Sequence, residues 1–164
     1  MRVGIGFDSH NLVRGRKLVL GGVEVPFELG LDGHSDADVL IHAVIDALFG
    51  AAALGSIGDH FPDTDARYSG IASTKLLEEA MVAIRDAGFR PGNVDSVIVA
   101  ERPRLAPHVD AMRKRVAGIM GIPEDRVSVK ATTTEGKDAT GRGEAIAAHA
   151  VVLLVENSTP GGGE

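Results

Sequence analysis

Residues 34–55 read HSDADVLIHAVIDALFGAAALG. From Asp36 onward the run is rich in Ala, Leu, Ile and Val and contains no Pro, which predicts a mostly buried helix over residues 36–53. Asp38, His42 and Asp46 interrupt the apolar run at intervals of four, so they share one face of that helix. Ser35 is placed to cap it, with Asp38 at the third helical position. A helix start also offers free backbone N–H groups that suit a phosphate. The histidine of the polar stripe has two readings: a hydrogen-bonded core residue, or a metal ligand supported by neighbouring carboxylates.

Outward from this helix, other segments declare themselves. Residues 1–8 alternate Val3, Ile5 and Phe7 with smaller residues, as a strand does. Residues 17–26 form two short apolar runs around Gly21-Gly22, a hairpin signature. Residues 55–70, GSIGDHFPDTDARYSG, make a long polar loop of the kind that is usually functional. Residues 73–87 show the amphipathic spacing of a helix, with Leu76, Leu77, Ala80, Met81 and Ile84 inward and Gly88 as the stop. A strand is expected over 94–100, a helix over 107–120 closed by Gly121, and a strand over 126–133 that ends in a threonine-rich bend. A loop follows over 135–143, then an apolar strand over 145–156. Hairpin pairing mixed with helical crossovers predicts an α+β fold, a mixed β-sheet with helices on one face. Residues 1–157 read as one domain, and 158–164, STPGGGE, as a disordered tail.

Composition narrows the function. Lys and Arg number 17 against 23 Asp and Glu, a formal net charge of −6. With one Tyr, five Phe and no Trp, neither a basic sheath nor a stacking platform for nucleic acid is available, so no nucleic-acid partner is expected. The absence of Cys excludes disulfides, thiolate metal sites and cysteine nucleophiles. The first residues lack the apolar core of a signal peptide. The longest apolar stretch, 39–54, is broken by His42, Asp46 and Gly50 and is too short to span a bilayer. No membrane partner is expected, and a cytoplasmic location fits.

Asp8 and His10 stand two apart at the end of the first strand, so both side chains leave the same face. Alone they read more readily as a turn aspartate beside a solvated histidine. Together with His42 they supply three hard or borderline ligands, the pattern of a catalytic zinc site with one position open. Residues 130–136, KATTTEG, gather three hydroxyls, Thr132, Thr133 and Thr134, before Glu135. They read either as a phosphate-binding bend with a carboxylate for a divalent cation or as a strand rich in a good strand former. Arg142, between two glycines, is an anion clamp or a solvated loop charge. Residues 100–106, AERPRLA, are a turn able to cup a ring, or a plain strand-to-helix connection. His60, His108 and His149 read as structural or solvated.

Five ordered segments, GFDSH (6–10), residues 34–55, IGDHFPDTD (57–65), KATTTEG (130–136) and TGRGEAIA (140–147), resemble the 2-C-methyl-D-erythritol 2,4-cyclodiphosphate synthase family of the non-mevalonate isoprenoid pathway. The resemblance runs from about residue 1 to 156. It implies a homotrimer with active sites between subunits, and a lyase that closes a cyclic diphosphate on 4-diphosphocytidyl-2-C-methyl-D-erythritol 2-phosphate with loss of CMP. It implies Zn²⁺ on Asp8, His10 and His42, and Mg²⁺ or Mn²⁺ on Glu135. His34 and Thr133 would stabilise the reacting phosphates. Ala100, Glu101, Arg102, Pro103, Arg104, Leu105, Ala106 and Thr132 would cradle the cytidine end. Ile57, Gly58, Phe61, Pro62, Asp63, Thr64 and Asp65 would cover the methylerythritol part, and Ser35 and Thr134 would lie against substrate. Two positions depart from the family: Ser56 stands where an Asp commonly bonds the polyol, and Ala139 where some members carry an aromatic residue in a central cavity, near the arginine matching Arg142. A water-using phosphohydrolase and a non-catalytic diphosphate sensor are the rival readings of the same residues.

Overall fold

The computed structural model describes residues 1–157; the tail expected over 158–164 lies outside them. The strands are β1 (Arg2–Arg14), β2 (Leu18–Leu20), β3 (Val23–Val25), β4 (Leu29–Leu31), β5 (Phe89–Val99), β6 (Val127–Thr132) and β7 (Ala145–Glu156). The helices are α1 (Val39–Ala52), α2 (Ile57–His60), α3 (Ser73–Asp86), α4 (Val109–Met120) and α5 (Asp138–Gly141). Five strands form one sheet in the order β4-β1-β7-β5-β6, and β2 and β3 form a separate hairpin. Only β5 and β6 run parallel, as the α4 crossover between them requires; the other pairs are antiparallel. The sheet is therefore mixed, and the fold is the α+β class that the sequence predicts.

The α1 helix lies across β1 and β7 at unusually close range, because Gly4 and Gly6 face it. A Cβ on Gly6 would fall 1.9 Å from the Ala43 carbonyl oxygen, and one on Gly4 would fall 2.0 Å from that of Ala47. Two glycines on the strand and Ala43, Ala47 and Ala51 on the helix let the backbones touch. Val39, Leu40, Ile41, Ile45, Leu48 and Phe49 are completely buried around this seam. On the opposite face of the sheet, Val3, Ile5, Phe7 and Val151 remain 67%, 71%, 56% and 43% exposed, so the helices cover one face only.

Several boundaries differ from expectation. Strand β1 continues through Arg14, and Asp8 and His10 sit mid-strand opposite Ala148 and Ile146 of β7. The polar residues after Phe7 look like a strand end, yet the ladder with β7 supports them. The cap of α1 is Asp38, not Ser35: its side chain accepts from Ile41 N and also from Gly21 N and Gly22 N. The same carboxylate thus pins the hairpin turn, whose glycines have φ of 59° and 71°, the left-handed pair such a tight turn needs. The Asp38 side chain therefore takes up one of the helix-start donors that suit a phosphate, Ile41 N. Burial pushes the Asp38 carboxyl up to about 6 despite these backbone donors. Strand β4, too short to show a period, is an element the pattern does not reveal. Strand β5 starts at Phe89, before Pro91, and a register shift between Pro91 and Asn93 absorbs the irregularity. The loops expected over 55–70 and 135–143 hold the single-turn helices α2 and α5.

Gly6→Ala should lower stability by about 3 kcal/mol or more, because a methyl group must displace backbone, not a flexible side chain. The urea midpoint checks this, and a midpoint equal to wild type would show that the helix can move away freely.

Candidate metal centre and phosphate pocket

The contact between α1 and β1 sets the site. On the strand, Asp8 is the next inward residue after Gly6; on the helix, His42 precedes Ala43. The same close approach that buries the glycines brings the two side chains together. His42 Nδ1 lies 2.9 Å from Asp8 Oδ2, and His10 Nε2 lies 3.2 Å from the same oxygen. One ligand atom from each of the three residues falls within 4.8 Å of the others. The side chains are 24%, 25% and 13% exposed in the order Asp8, His10, His42. They are shielded yet open on one side.

Each histidine is held by its other nitrogen. The His10 ring donates to the backbone carbonyl of Asp32 and packs over Gly33, where a Cβ would sit 3.1 Å from its Cε1. His42 Nε2 lies 2.8 Å from Ser73 Oγ and 3.1 Å from Ser35 Oγ. Such support leaves His10 Nε2 and His42 Nδ1 pointing at the carboxylate, as metal-binding histidines require. Two imidazole nitrogens and one carboxylate oxygen, with no thiolate, suit a borderline divalent ion. Burial pushes the Asp8 carboxyl up, but the two imidazoles facing it, His10 and His42, outweigh burial and hold it well below the usual carboxylate range. The Asp8 hydrogen bond raises the His10 pKa above its ordinary value of 6.5, against the opposing effect of burial.

The three residues border a cavity of about 260 Å³ whose walls also include His34, Ser35, Ile57, Gly58, Phe61 and Asp63. Gly33, Tyr68 and Leu76 complete its lining; Leu76 reads as an ordinary packing residue in the sequence, and Tyr68 as part of the polar loop. His34 Nε2 reaches the Asp65 carbonyl at 3.4 Å, so the loop over 55–70 is tied back across the cavity. That loop is also anchored by Asp46, which accepts from Ile57 N. The stripe Asp38, His42, Asp46 therefore does three different jobs. Pro62 and Thr64 are exposed on the loop. The Ser56 hydroxyl donates to Asp59, its partner in a capping box, and so turns toward its own helix. His60 stacks on Phe49 at 4.0 Å and bonds the Leu54 carbonyl, a structural role.

A second cavity, about 380 Å³, is formed by Ala100 through Ala106 with Ala131, Thr132 and Thr133. It shares no lining residue with the first, so within one chain Thr133 is not brought to the metal cradle. Glu135 is exposed, at φ 53°, and joins neither cavity. Thr134 Oγ donates to the Lys137 carbonyl and braces the bend. Ala139 accepts from Glu144 N through its carbonyl. Arg142 is bidentate to Glu144 at 2.9 Å and lines a third hollow with Arg102. Ser73 and Asp36, beside His42, are absent from the candidate residues. Nothing in a helix-start serine or a loop aspartate signals contact with a residue far along the chain.

A strand-borne Asp-x-His thus meets a helix-borne histidine on the covered face of a mixed sheet. Residues 1–155 match the YgbB family, and the chain belongs to it. Its named relatives are 2-C-methyl-D-erythritol 2,4-cyclodiphosphate synthases. The one from Moorella thermoacetica is 56% identical over 162 residues, spanning 99% of both chains. The one from Laribacter hongkongensis is 60% identical over 154 residues, 94% of this chain and 95% of that one. A solved structure of such a synthase in a CDP-bound form superposes with a TM-score of 0.87 at 40% identity, over 94% of this chain and all of that one.

A metal must displace the proton that Asp8 favours on His10. Metal affinity should therefore fall as pH is lowered through the raised His10 value. The metal-free protein should behave oppositely: the His10 contribution is fully present below 6.5 and is lost as pH rises through the folded pKa. Thermal melts with and without metal across neutral pH check both signs; parallel slopes would contradict the ligand assignment.

Proposed function

We propose that the chain converts 4-diphosphocytidyl-2-C-methyl-D-erythritol 2-phosphate into 2-C-methyl-D-erythritol 2,4-cyclodiphosphate and CMP, as a metal-dependent lyase of isoprenoid precursor synthesis. The observation that carries this reading is the meeting of Asp8, His10 and His42 beside a cavity, in a chain whose relatives bear that enzyme's name. An oxygen of the 2-phosphate attacks the β-phosphorus. The bond from that phosphorus to the oxygen bridging it to the α-phosphate breaks, and CMP leaves with the electron pair. The nucleophile is already anionic, so no strong base is needed. The barrier lies in bringing anions together and in stabilising charge on the phosphoryl oxygens.

Asp8, His10 and His42 would hold Zn²⁺, and Glu135 would hold Mg²⁺ or Mn²⁺; bound there, the cations supply charge neutralisation and Lewis acidity for the diphosphate. His34, held across the cavity by the Asp65 carbonyl, donates to a phosphate oxygen. Thr133, exposed at the end of β6, contributes its hydroxyl to the reacting phosphates. Ala100–Ala106 with Thr132 cup the cytosine and ribose, supported by the second cavity there. Ile57, Gly58, Phe61 and Asp63 close over the methylerythritol part and exclude water, which keeps the attack intramolecular. Ser35 offers its hydroxyl to the same end of the substrate, and Ser56, whose proton goes to Asp59, can only accept there.

The metal cradle and the nucleoside cup are separate cavities in one chain, while one substrate must touch both. A homotrimer with each site shared between neighbours resolves this. It is supported by the uncovered apolar sheet face at Val3, Ile5, Phe7 and Val151, a patch of the kind that marks an interface. No helix among the described residues is long and apolar enough to cross a membrane, and the reaction's soluble substrate fits a cytoplasmic setting.

Phosphorus NMR of the protein with substrate and Mg²⁺ should show the cyclic diphosphate and CMP. Linear products carrying oxygen from labelled water would replace this reading with a hydrolase; ligand binding without turnover would replace it with a sensor. His42→Ala should remove bound zinc and activity together. Sedimentation should give three times the chain mass, and a monomer at working concentration would overturn the shared-site assembly.

A further inference from the structure

We propose that Asp36 and Ser73 form a proton-directing relay behind His42: they decide which ring nitrogen carries the hydrogen and so present Nδ1 bare to the metal. The inference rests on the metal reading above and concerns residues that touch neither metal nor substrate. Both are positioning residues.

Ser73 is the first residue of α3 and is completely buried. Its backbone N–H donates to Asp36 Oδ2 at 3.0 Å, and its hydroxyl donates to Asp36 Oδ1. Asp38 N donates to the same Oδ1 at 3.2 Å. Three donors thus converge on one side chain, which acts throughout as acceptor. With its only proton committed to Asp36, Ser73 Oγ faces His42 Nε2, 2.8 Å away, with lone pairs alone. That nitrogen must therefore donate. An imidazole with its hydrogen on Nε2 has a free lone pair on Nδ1, the atom 2.9 Å from Asp8. The other tautomer would place a hydrogen where an ion has to bind.

Ser35 Oγ, 3.1 Å from Nε2, already receives Ala37 N at 3.1 Å. Its hydroxyl proton remains free to turn, so it can serve either tautomer and does not set the direction. The directing power lies with Asp36, which can only accept. The helix α3 is therefore tied to the site by its first residue, through one hydroxyl with two fixed partners.

Asp36→Ala tests the relay by removing its acceptor. Ser73 N and Asp38 N lose their side-chain partner, and Ser73 Oγ no longer commits its proton to a carboxylate. The Ser73 proton then turns toward His42 Nε2 and favours the hydrogen on Nδ1. Zinc affinity, measured by chelator competition, should fall about 10–100-fold, the usual cost of losing such support. Ser73→Ala should lose affinity similarly, and Ser73→Thr, which keeps the hydroxyl, should retain most of it. In nitrogen-15 NMR of the zinc-loaded wild type, His42 should show a slowly exchanging, downfield Nε2–H, a resonance that needs no variant to fold; in Asp36→Ala it should shift. Zinc bound through Nε2 in the wild type would overturn the relay. So would unchanged zinc affinity in Asp36→Ala, or a loss of affinity with the Nε2–H resonance unmoved, which would mark a packing effect. Absence of zinc from the wild type would overturn the metal reading and the relay together.

Discussion

Everything at the site depends on how closely one helix approaches one strand. Gly4 and Gly6 leave no side chain between β1 and α1, and Ala43, Ala47 and Ala51 add only methyl groups. The register of that contact fixes the chemistry. The next inward position on the strand is Asp8, and the helix residue above it is His42. A bulkier residue in the seam would push the helix off the strand and separate the pair. Packing and function are thus the same constraint, written in the smallest available residues.

Electrostatics follow from that geometry. Asp8 is desolvated yet stays an acceptor because two imidazoles face it, and each imidazole is turned toward it by a partner on the far nitrogen. The turn before α1 is equally committed. Ala37 sits at φ 58°, a costly conformation for a residue with a side chain. Ser35, Asp36 and Asp38 hold it by accepting from Ala37 N, Ser73 N and the Gly21-Gly22 turn respectively. The strain is sustained because three separate elements are tied to this one bend.

The fold class was readable because α1, α3, α4 and β7 carry long, regular apolar patterns. The candidate cluster of Asp8, His10 and His42 was readable because Asp-x-His on a strand and a lone histidine in an apolar helix are local signals. What escaped was long-range. Ser73 is a helix-start serine like many others, and only the tertiary contact makes it a partner of His42. Asp38 looked like a stripe residue, but the hairpin turn competes for its carboxylate and makes it the cap. Gly4 and Gly6 registered only as small residues in an alternating strand; their meaning is a neighbour more than thirty residues away. Strand β4 and the single-turn helices are shorter than the periods by which such elements are recognised.

The central claim is that Asp8, His10 and His42 share one ion. X-ray absorption at the zinc edge of the protein as purified, compared with His10→Ala, tests it most directly. The account predicts two imidazole nitrogens and carboxylate oxygen around zinc in the wild type, and one imidazole fewer in the variant. An imidazole count that does not change when His10 is removed would contradict it.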